Sequence, residues 1–534
     1  MRWRICDAEP MRSRWLSDFA TEGGLSAVLH GARFAGGIAA SGQNAGFGGN
    51  LFTRDACRMI LDVMAPYPWL AREMLGVLPQ EQGIQLDSST NEFPDALPHQ
   101  VFREVVGGRY APSAQVEAVE RWAGIWGVPL RTDPAGARTL VIFNSSDAPL
   151  LYLVSLGAFC RLPGGRIVLG DRFIHRPTGE VRTVAEAARR CVAFVMRALS
   201  TARDSGLDLY AVPNTNPRQT SPSGVMRDGF DAYYRPGGGQ DEALDYGLVA
   251  YVENQALLYE ALTLAALELF PDDPDALEWL AAAASVRAST LKQFWIEDWQ
   301  MFCPAVDRRG PVALHSTAAA ELLNGPFLDD IPDAPDYVRT IVEWLYSPAV
   351  MTPIGPRMLS LRDAANEGDY YSYQGTGAVW SVTNGIIAKG LGRWGLHPLR
   401  RELGIDRLLA WFNRSGEAVE LAYVHRETNE PCYDPYPPLH TKTDDTLVIA
   451  AAELGQIDQG WGASAALAEI WADELGTPEP VSGSWQRALC RRMLARARET
   501  PPAVAGLPER AVYVDLRTGQ QLAKERARQL GVQR

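Results

Sequence analysis

The segment VAYVENQALLYEALTLAALELF, residues 249–270, runs from a short polar and aromatic entry into a long apolar stretch. Its apolar residues recur at the three- and four-residue spacing of an α-helix. The entry places Glu253 at the start of that helix. The segment therefore predicts a long helix whose N-terminal end carries polar and aromatic side chains.

The same order, a polar and aromatic loop followed at once by an apolar helix, occurs elsewhere in the chain. In a toroid of paired helices, the inner helices bring such loops to one end of the ring, where they can line a single pocket. The pattern alone establishes only where helices start. It recurs in GGNLFTRDACRMIL (48–61), IFNSSDAPLLYL (142–153) and TGAVWSVTNGIIAKGL (376–391).

Helical spacing dominates the rest of the sequence, and two-residue alternation is rare. Neither a linker of low complexity nor a strong repeat divides the chain. We therefore expect an N-terminal helical segment at 1–30, one catalytic domain at 31–480, and a C-terminal helix with a wrapping tail at 481–534. Further helices are predicted at 54–65, 116–127, 147–162, 184–206, 275–295, 382–396 and 445–457, and strands at GRIVLG (165–170) and RAVYVDLRTGQQLA (510–523).

Composition limits the classes of partner. The chain has 534 residues, of which 46% are hydrophobic, and a formal net charge of −13. An acidic surface disfavours nucleic acid and anionic lipid as partners, which leaves neutral small molecules or neutral polymers. The sequence leaves open whether the chain forms a homo-oligomer.

The cysteines and the N-terminus indicate a cytoplasmic protein. Seven cysteines are present, and no two of them form a CxxC pair. An odd number at wide spacing does not suit a disulfide framework or a zinc site, so we expect buried free thiols in a reducing compartment. The N-terminus has no apolar leader pattern, and Pro149 interrupts the most apolar window, so no membrane span is expected.

The loop VMRDGFDAYYRPGG, residues 225–238, places Asp228 and Asp231 among aromatic residues and ahead of a Pro-Gly-Gly stop. Aromatic neighbours would desolvate Asp228, and desolvation raises the pKa of a carboxyl group. A carboxyl group that holds its proton near neutral pH can act as a general acid. From the residues alone, Asp228 is the strongest candidate for catalysis.

Other candidates lie on the loops that lead into the apolar helices, and they suit a sugar. Carboxylates and amides bind hydroxyls, aromatic faces cover the apolar side of a pyranose, and two carboxyl groups can supply an acid and a base. These candidates are Arg54, Asp55, Asp147, Asp231, Glu253, Tyr370, Tyr371, Gln374, Trp380, Asn384 and Glu420.

Several of these residues also have a purely structural interpretation. Asp55 and Asp147 would serve equally as helix N-caps. Glu253 at a helix start is favoured by the helix dipole. Tyr371 and Trp380 could be core residues.

Other chemistries find little support in the sequence. There is no GxSxG, GxxxxGK[ST] or HExxH motif, and the seven histidines are scattered singly. The glycine-rich stretches at 36–46 and 164–172 lack the strand–glycine–helix context of a dinucleotide site. We therefore expect neither a cofactor nor a metal.

In six blocks, taken in order, the chain resembles the α-helical toroid glycosidases. It is most similar to the amylo-α-1,6-glucosidase part of glycogen-debranching enzymes and their bacterial relatives. The similar blocks are LFTRDACRMIL (51–61), STNEFPDALPHQVF (89–102), NSSDAPLLYLVSLG (144–157), MRDGFDAYYR (226–235), VAYVENQALLYEAL (249–262) and YQGTGAVWSVTNGIIAKGL (373–391).

The resemblance implies an all-α fold, the (α/α)6 barrel or six-hairpin toroid, with minor β-hairpins. It implies an inverting glycoside hydrolase that acts on an α-glucosidic or related bond, with Asp228 as general acid. The family's base lies in a later loop, where Glu420 aligns best and Glu427 and Glu430 compete with it. Sugar-binding roles are implied for Arg54, Asp55, Asp147 and Glu253.

Departures from the family pattern bear on the substrate. Gln100 stands where Glu is usual, Ser381 replaces a Pro after Trp380, and TKTDDTLVIAAAEL (441–454) replaces a Gln-Ala-Trp-Ser motif. The resemblance begins near residue 50, so the N-terminal β-domain of debranching enzymes is not expected. These differences favour an oligosaccharide or a small glucoside over a polymer.

Two classes of alternative remain open on the same fold. One is a related enzyme, such as a mannosyl- or glucosyl-glycerate hydrolase, a trehalase-like enzyme or a β-glycosidase. The other is a non-catalytic sugar-binding toroid that has lost its base.

Overall fold

The computed structural model describes a large part of the chain, with gaps. The described residues are 33–34, 37–38, 40, 50–65, 67–106, 109–110, 116–117, 119–120, 123–124, 127–132, 138–215, 224–227, 232–235, 244, 247–363, 370, 374–415, 418–426, 428–432, 460–475 and 483–502.

Helices account for most of the described secondary structure. They are α1 (Thr53–Val63), α2 (Pro68–Val77), α3 (Ala148–Cys160), α4 (Val184–Asp204), α5 (Val252–Leu264, continued by the π-helix Ala265–Leu269), α6 (Ala276–Gln293), α7 (Ala334–Leu345), α8 (Ser381–Arg393), α9 (His397–Arg401, continued by the π-helix Glu402–Leu409), α10 (Ala410–Ser415), α11 (Gly460–Leu475) and α12 (Ser484–Ala497); 3₁₀ helices span Leu78–Glu81, Gly165–Gly170, Glu297–Trp299, Thr317–Leu323 and Leu361–Asp363.

An inner ring of helices closes on itself. In the described part of the chain the ring runs α1, α3, α5, the 3₁₀ helix Thr317–Leu323, α8 and α11, and α11 packs back against α1. We call Thr317–Leu323 the inner 3₁₀ helix. Between successive ring members lie α2, α4, α6, α7 and α9 in the chain, each packed on the outside of the ring. The fold is the (α/α)6 barrel predicted from the sequence.

Inner and outer helices differ in their patterns because their surroundings differ. In α3 nearly every residue is buried, since other helices surround it. In α4 the buried residues, such as Ala188, Cys191, Val192 and Val195, form one stripe, and Thr183 and Glu186 cap its start with a reciprocal capping box. An apolar sequence thus becomes an inner helix and an amphipathic one an outer helix.

Glycines let two pairs of inner helices approach closely. A Cβ atom at Gly157 of α3 would lie 2.7 Å from the Leu264 Cβ of α5, and one at Gly385 of α8 would lie 2.6 Å from the Ala465 Cβ of α11. At each glycine, a side chain of the neighbouring helix packs directly against the helix backbone, so the two helices lie close together.

Strands are short and antiparallel. The largest sheet has the order β3-β4-β8-β7, and a three-stranded sheet has the order β18-β19-β20. The strands are β1 (Arg33–Phe34), β2 (Gly37–Ile38), β3 (Asn50–Phe52), β4 (Gln100–Arg103), β5 (Val105–Val106), β6 (Arg109–Tyr110), β7 (Arg131–Thr132), β8 (Arg138–Ile142), β9 (Arg172–His175), β10 (Glu180–Thr183), β11 (Ala250–Tyr251), β12 (Trp295–Ile296), β13 (Met301–Phe302), β14 (Ala305–Asp307), β15 (Gly310–Pro311), β16 (Met351–Thr352), β17 (Gly355–Pro356), β18 (Ala378–Trp380), β19 (Leu421–Val424) and β20 (Pro431–Cys432).

One strand prediction is wrong. Residues 165–170 form a 3₁₀ helix instead of a strand. Gly164 before it has a φ of +74°, and a Cβ atom at Gly165 would lie 2.0 Å from the Phe159 carbonyl oxygen. The chain therefore turns back tightly onto the end of α3, and an extended strand cannot form there.

The other predictions divide into those confirmed and those that the described residues do not reach. The helices predicted at 54–65, 147–162, 184–206, 249–270, 275–295 and 382–396 are present within a few residues of the expected ends. The helix expected at 116–127 is only partly described. The segments 1–30, 445–457 and 510–523 lie outside the described residues.

Two expectations about burial and membranes can be compared with the structure. The cysteines whose side chains are described, Cys57, Cys160, Cys191, Cys303 and Cys490, are all free and buried, as predicted. Among the described helices, none combines the length and apolar character that crossing a bilayer requires.

Candidate active site

The inner helices α1, α3 and α5 begin at the same end of the ring. Arg54, near the start of α1, forms an ion pair with Asp147, which precedes α3, at 2.8 Å. Asn254, near the start of α5, donates to the Ser146 hydroxyl at 2.8 Å, one residue before Asp147. We call this end of the barrel the rim.

The inner helices α8 and α11, on the other side of the ring, also begin at the rim. Trp380, which precedes α8, packs edge-on against Trp461 of α11 at 5.7 Å between ring centres. The Gly460 amide at the start of α11 donates to the Ala40 carbonyl at 2.8 Å, and the Ala40 amide donates to the Asn50 carbonyl in β3, just ahead of α1. The inner helices are therefore parallel, and the positive ends of their dipoles gather at the rim.

The Arg54–Asp147 pair at the rim is buried. Both residues are buried, and the Ser145 hydroxyl donates to the second oxygen of Asp147 at 2.5 Å. Asp147 occupies the N-cap position of α3, yet its side chain makes no capping hydrogen bond. The simple capping interpretation of Asp147 is therefore wrong. Asp55 is buried in the first turn of α1, beyond the N-cap residue Phe52.

Glu253 holds both flanks of the loop that carries Asp228. Its Oε2 atom accepts from the Arg227 guanidinium at 2.9 Å, and its Oε1 atom accepts from the Tyr233 hydroxyl at 3.2 Å. Arg227 also donates to the Thr317 hydroxyl at the start of the inner 3₁₀ helix. The described residues on either side of positions 228–231 are thus fixed to two inner helices.

Burial is the largest influence on the pKa of Glu253, the carboxylate that binds Arg227 and Tyr233. Burial raises the pKa of Glu253 above its ordinary value, and the Arg227 guanidinium opposes that shift. The carboxylates of Glu321 and Asp147 add to the rise. At Glu253, therefore, burial and the neighbouring carboxylates outweigh the effect of the guanidinium.

Gly224 ties the start of the same loop to α3. The Gly224 carbonyl accepts from the Ser146 amide at 2.6 Å and from the Ser146 hydroxyl at 2.9 Å. Gln374 donates from Nε2 to the Met226 carbonyl at 3.3 Å and is fully buried. Gln374, proposed from the sequence as a sugar ligand, thus also supports this loop.

Glu420 lies on the opposite side of the rim from α3. It is buried and comes directly before β19. Its carbonyl accepts from the amide and the hydroxyl of Ser381 at 3.0 and 2.9 Å, which fixes it at the start of α8. Glu430, by contrast, is exposed in the β19–β20 hairpin. Of the two carboxylates, only Glu420 has the burial expected of a pocket residue.

Trp380 and Tyr370 are buried. Trp380 is 1% exposed and packs on Trp461, which agrees with the core interpretation of this residue. Tyr370 accepts a hydrogen bond from Arg357 at 3.0 Å. Asp228, Asp231, Tyr371 and Glu427 lie outside the described residues.

Sequence reasoning missed several residues that build the rim. Arg227 and Tyr233 flank the predicted acid, yet neither was singled out as a support. Ser146 and Asn254 sit beside the candidates Asp147 and Glu253. Adjacency to a candidate on a loop–helix boundary was the one available signal.

Solved structures with a similar fold include a mannosylglycerate hydrolase. The GH63 mannosylglycerate hydrolase from Thermus thermophilus in complex with glucose is 15% identical with a TM-score of 0.51, and the match covers 83% of this chain and 98% of that chain. The same enzyme in complex with Tris and D-glycerate is 14% identical with a TM-score of 0.50 at the same coverage. At this identity the similarity establishes the fold.

No protein-family model matches the sequence, and no curated protein matches it either.

Proposed function

We propose that this chain is an inverting glycoside hydrolase that cleaves an α-glucosidic or related bond in an oligosaccharide or small glucoside. Asp228 protonates the leaving oxygen, and Glu420 activates water on the opposite face of the sugar. Inverting enzymes of this kind separate the two carboxyl groups by about 6.5–9.5 Å to admit that water. The shared fold with a mannosylglycerate hydrolase supports a glycosidase.

The observation that carries the proposal is the double attachment of Glu253. Arg227 and Tyr233, on the two sides of the Asp228 loop, bind the two oxygens of one buried carboxylate. These two contacts fix the described ends of the loop to the start of α5. A general acid must keep its position through each turnover, and such an anchor provides it.

The remaining polar groups of the rim suit recognition of a sugar. Arg54 and Asp147 present a fixed donor and acceptor pair, and Asp55 lies one residue along α1. We assign sugar hydroxyls to Arg54, Asp55 and Asp147. We assign Glu253 and Gln374 to support of the loop, since their described contacts are with Arg227, Tyr233 and Met226.

Asp231, Tyr371 and Trp380 complete the proposed site. Asp231 supports Asp228 or binds a hydroxyl, and Tyr371 covers one sugar face. Trp380 shapes the pocket from behind, because it packs on Trp461. Neither a metal nor a cofactor enters this mechanism.

A second candidate is a glycoside whose aglycone carries a carboxylate, such as mannosyl- or glucosyl-glycerate. Arg357 is 1% exposed, and its described hydrogen-bond acceptors, Tyr370 Oη and Asn429 Oδ1, are both neutral. Among the described residues no carboxylate pairs with this buried guanidinium, and an anionic ligand group would compensate its charge. The enzyme of similar fold reported above is a mannosylglycerate hydrolase, which agrees with this candidate.

The test is a panel of glycosides followed by NMR. Maltose, trehalose, glucosylglycerate, mannosylglycerate and aryl α- and β-glucosides are each incubated with wild type and with Asp228→Asn. We expect release of free sugar whose first-formed anomer is inverted. Hydrolysis with retained configuration, or no hydrolysis of any member, would contradict the proposal. A preference for the glycerates that disappears in Arg357→Met would favour the second candidate.

A further inference from the structure

A histidine just ahead of the inner 3₁₀ helix, His315, is held by a carboxylate and by two indole rings. Its Nδ1 atom and its backbone amide both donate to Oδ2 of Asp363, at 2.8 and 2.6 Å. The Trp299 ring stacks on the imidazole with 4.0 Å between ring centres and 12° between planes, and the Trp344 ring centre lies 4.7 Å away. The side chains of His315 and Asp363 are 12% and 10% exposed. These contacts fix the orientation of the imidazole.

Asp363 also contacts the loop that carries Asp228. Its carbonyl oxygen accepts from the Tyr234 hydroxyl at 2.6 Å. Tyr234 is buried on the downstream flank of that loop, three residues after Asp231. Asp363 therefore joins His315 to the loop, because its carboxylate binds the histidine and its backbone binds the tyrosine.

The upstream flank of the same loop reaches the same segment. Arg227 donates to the Thr317 hydroxyl at 3.2 Å, and Thr317 is two residues after His315. The Ser360 amide donates to the His315 carbonyl at 3.0 Å, three residues before Asp363. The segment from His315 to Thr317 thus holds both flanks of the loop, one directly and the other through Asp363.

The neighbours of Tyr234 have attachments of their own. Tyr233 binds the buried carboxylate at the start of α5, and the Arg235 guanidinium donates to the Asp307 carboxylate of β14 at 2.6 Å. Tyr234 lies between these two fixed residues. Loss of its contact with Asp363 should therefore shift the flank locally and leave the barrel folded.

We propose that His315 is a further positioning residue of the site, which holds Asp363 in place so that Tyr234 sets the downstream flank of the Asp228 loop. This inference rests on the proposed function, because it concerns the placement of the general acid. A general acid must lie within hydrogen-bond reach of the leaving oxygen, so a small shift of the loop lowers kcat. In this role His315 acts through Asp363 and does not touch the sugar.

Three substitutions at His315 test the contact in the full chain. A carboxylate oxygen only accepts, so the bonded Nδ1 atom is the donor. His315→Asn keeps an amide donor near the position of Nδ1, His315→Gln places the amide near Nε2 instead, and His315→Leu removes both ring nitrogens. His175→Leu is the matched control, because it removes a fully buried histidine from the outer hairpin β9–β10.

Two measurements are made on each variant. Amide hydrogen exchange followed by mass spectrometry reports on residues 232–235 and does not need a substrate. Steady-state kinetics compare a glycoside that has a poor leaving group with an activated aryl glucoside. The double variant of His315→Leu with Tyr234→Phe tests whether the two side chains act through one connection.

We expect exchange across residues 232–235 to be about fivefold faster in His315→Leu and His315→Gln, as the loss of one hydrogen bond implies. In the same two variants kcat for the poor leaving group should fall roughly tenfold, with a smaller loss for the aryl glucoside and an unchanged KM. His315→Asn and His175→Leu should match wild type in both measurements. Adding Tyr234→Phe to His315→Leu should cause no further loss.

Unchanged exchange in His315→Leu overturns the proposal. An equal loss of kcat with both substrates also overturns it, because His315 would then support only the fold. A loss in His315→Asn with wild-type rates in His315→Gln would place the function at Nε2 and likewise overturns it. If wild type hydrolyses no glycoside while the exchange pattern is as expected, the proposed function is wrong and the attachment of the loop through His315 stands.

Discussion

Arg58 and Glu321 form a buried, two-pronged ion pair across the centre of the barrel, with both N–O distances at 3.0 Å. Arg58 lies on α1 and Glu321 on the inner 3₁₀ helix, which are the first and fourth members of the described inner ring. Arg58 is one helical turn below Arg54, so the pair closes the space beneath the rim. Burial would lower the pKa of Arg58, but the Glu321 carboxylate reverses this and holds it above its ordinary value.

Removing one partner of this pair should destabilise the fold strongly. Glu321→Gln removes the carboxylate that is paired with the buried Arg58 guanidinium, and breaking a buried ion pair in this way costs about 3–5 kcal/mol. Urea unfolding followed by circular dichroism measures the loss. Asp336→Asn is the matched control, since it breaks the largely exposed Arg339–Asp336 pair and should cost about 0–1 kcal/mol. If both variants lose the same free energy of unfolding, the Arg58–Glu321 pair stabilises the fold no more than an exposed ion pair does.

Two helix glycines should respond to alanine with opposite signs. Gly157→Ala places a Cβ atom 2.7 Å from Leu264 Cβ, so α3 and α5 must move apart, at a cost of roughly 1–3 kcal/mol. Gly76→Ala meets no atom within 4 Å and replaces a poor helix former, so it should stabilise by up to about 1 kcal/mol. Thermal unfolding of both variants checks the pair. A loss of stability in Gly76→Ala would contradict the packing described for α2.

Glu260 should make stability depend on pH. Burial, followed by the Glu321 carboxylate, raises the pKa of Glu260 from its ordinary 4.5 to about 7. Between those values the folded chain holds a proton that the unfolded chain has lost. Its contribution is therefore complete below about pH 4.5 and is lost as the pH rises through about 7.

In Glu260→Gln no carboxyl group remains at this position to bind or release the proton. The melting temperature of wild type should fall more between pH 5 and pH 8 than that of the variant. Glu268→Gln, at a partly exposed acid on the same chain segment, is the control and should behave like wild type. If the melting temperature falls between pH 5 and pH 8 by the same amount in Glu260→Gln as in wild type, the pKa of Glu260 is not raised in the folded chain.

The inner-helix starts and the overall fold could be predicted because their signals are local. A polar loop followed by an apolar helix is visible in any short window of sequence, and α1, α3, α5 and α8 all begin as expected. The strand prediction at 165–170 failed because the turn there depends on contact with Phe159. Local alternation carries no information about that contact.

The partners within the site could not be predicted, because ring closure creates them. Arg58 and Glu321 are 263 positions apart, and Arg227 and Glu253 are 26 apart. Each residue alone suits a helix surface or a helix start. The residue types on the loops therefore suggested a sugar site, whereas the partner of each carboxylate required the closed barrel.

Glu253 should act as a positioning residue for Asp228. Glu253→Gln weakens its bond to Arg227 while keeping an acceptor for Tyr233. If the loop then shifts, kcat should fall roughly tenfold or more for a glycoside with a poor leaving group, with little change in KM. The loss should be smaller for an activated aryl glycoside, which hardly needs the acid.

The matched control for that experiment is Tyr233→Phe, which removes only the neutral contact and should have a milder effect of the same kind. A rise in KM without a fall in kcat in Glu253→Gln would show that Glu253 binds the substrate directly. That outcome would restore the role that the family resemblance implies.

Replacing Asp228 and replacing Glu420 should depend differently on the leaving group of the substrate. Only Asp228 is proposed to donate a proton to that group. Asp228→Asn keeps the shape of the side chain and removes the donated proton. For a poor leaving group the rate should fall by roughly 10²–10⁴-fold, the usual worth of positioned acid catalysis. For an activated aryl glycoside the fall should be much smaller. The pH profile, bell-shaped in wild type, should lose its alkaline limb in Asp228→Asn.

Glu420→Gln should slow both substrates equally, since attack by water needs the base whichever group departs. Added azide should not restore activity with retained configuration, because an inverting enzyme forms no glycosyl-enzyme intermediate. Glu430→Gln, in the exposed β19–β20 hairpin, is the matched control and should hydrolyse both substrates at the wild-type rate. If Glu427→Gln is inactive while Glu420→Gln is fully active, the reaction class stands and the base is Glu427. If Asp228→Asn, Glu420→Gln and Glu427→Gln all keep wild-type rates, the rim is not the catalytic site.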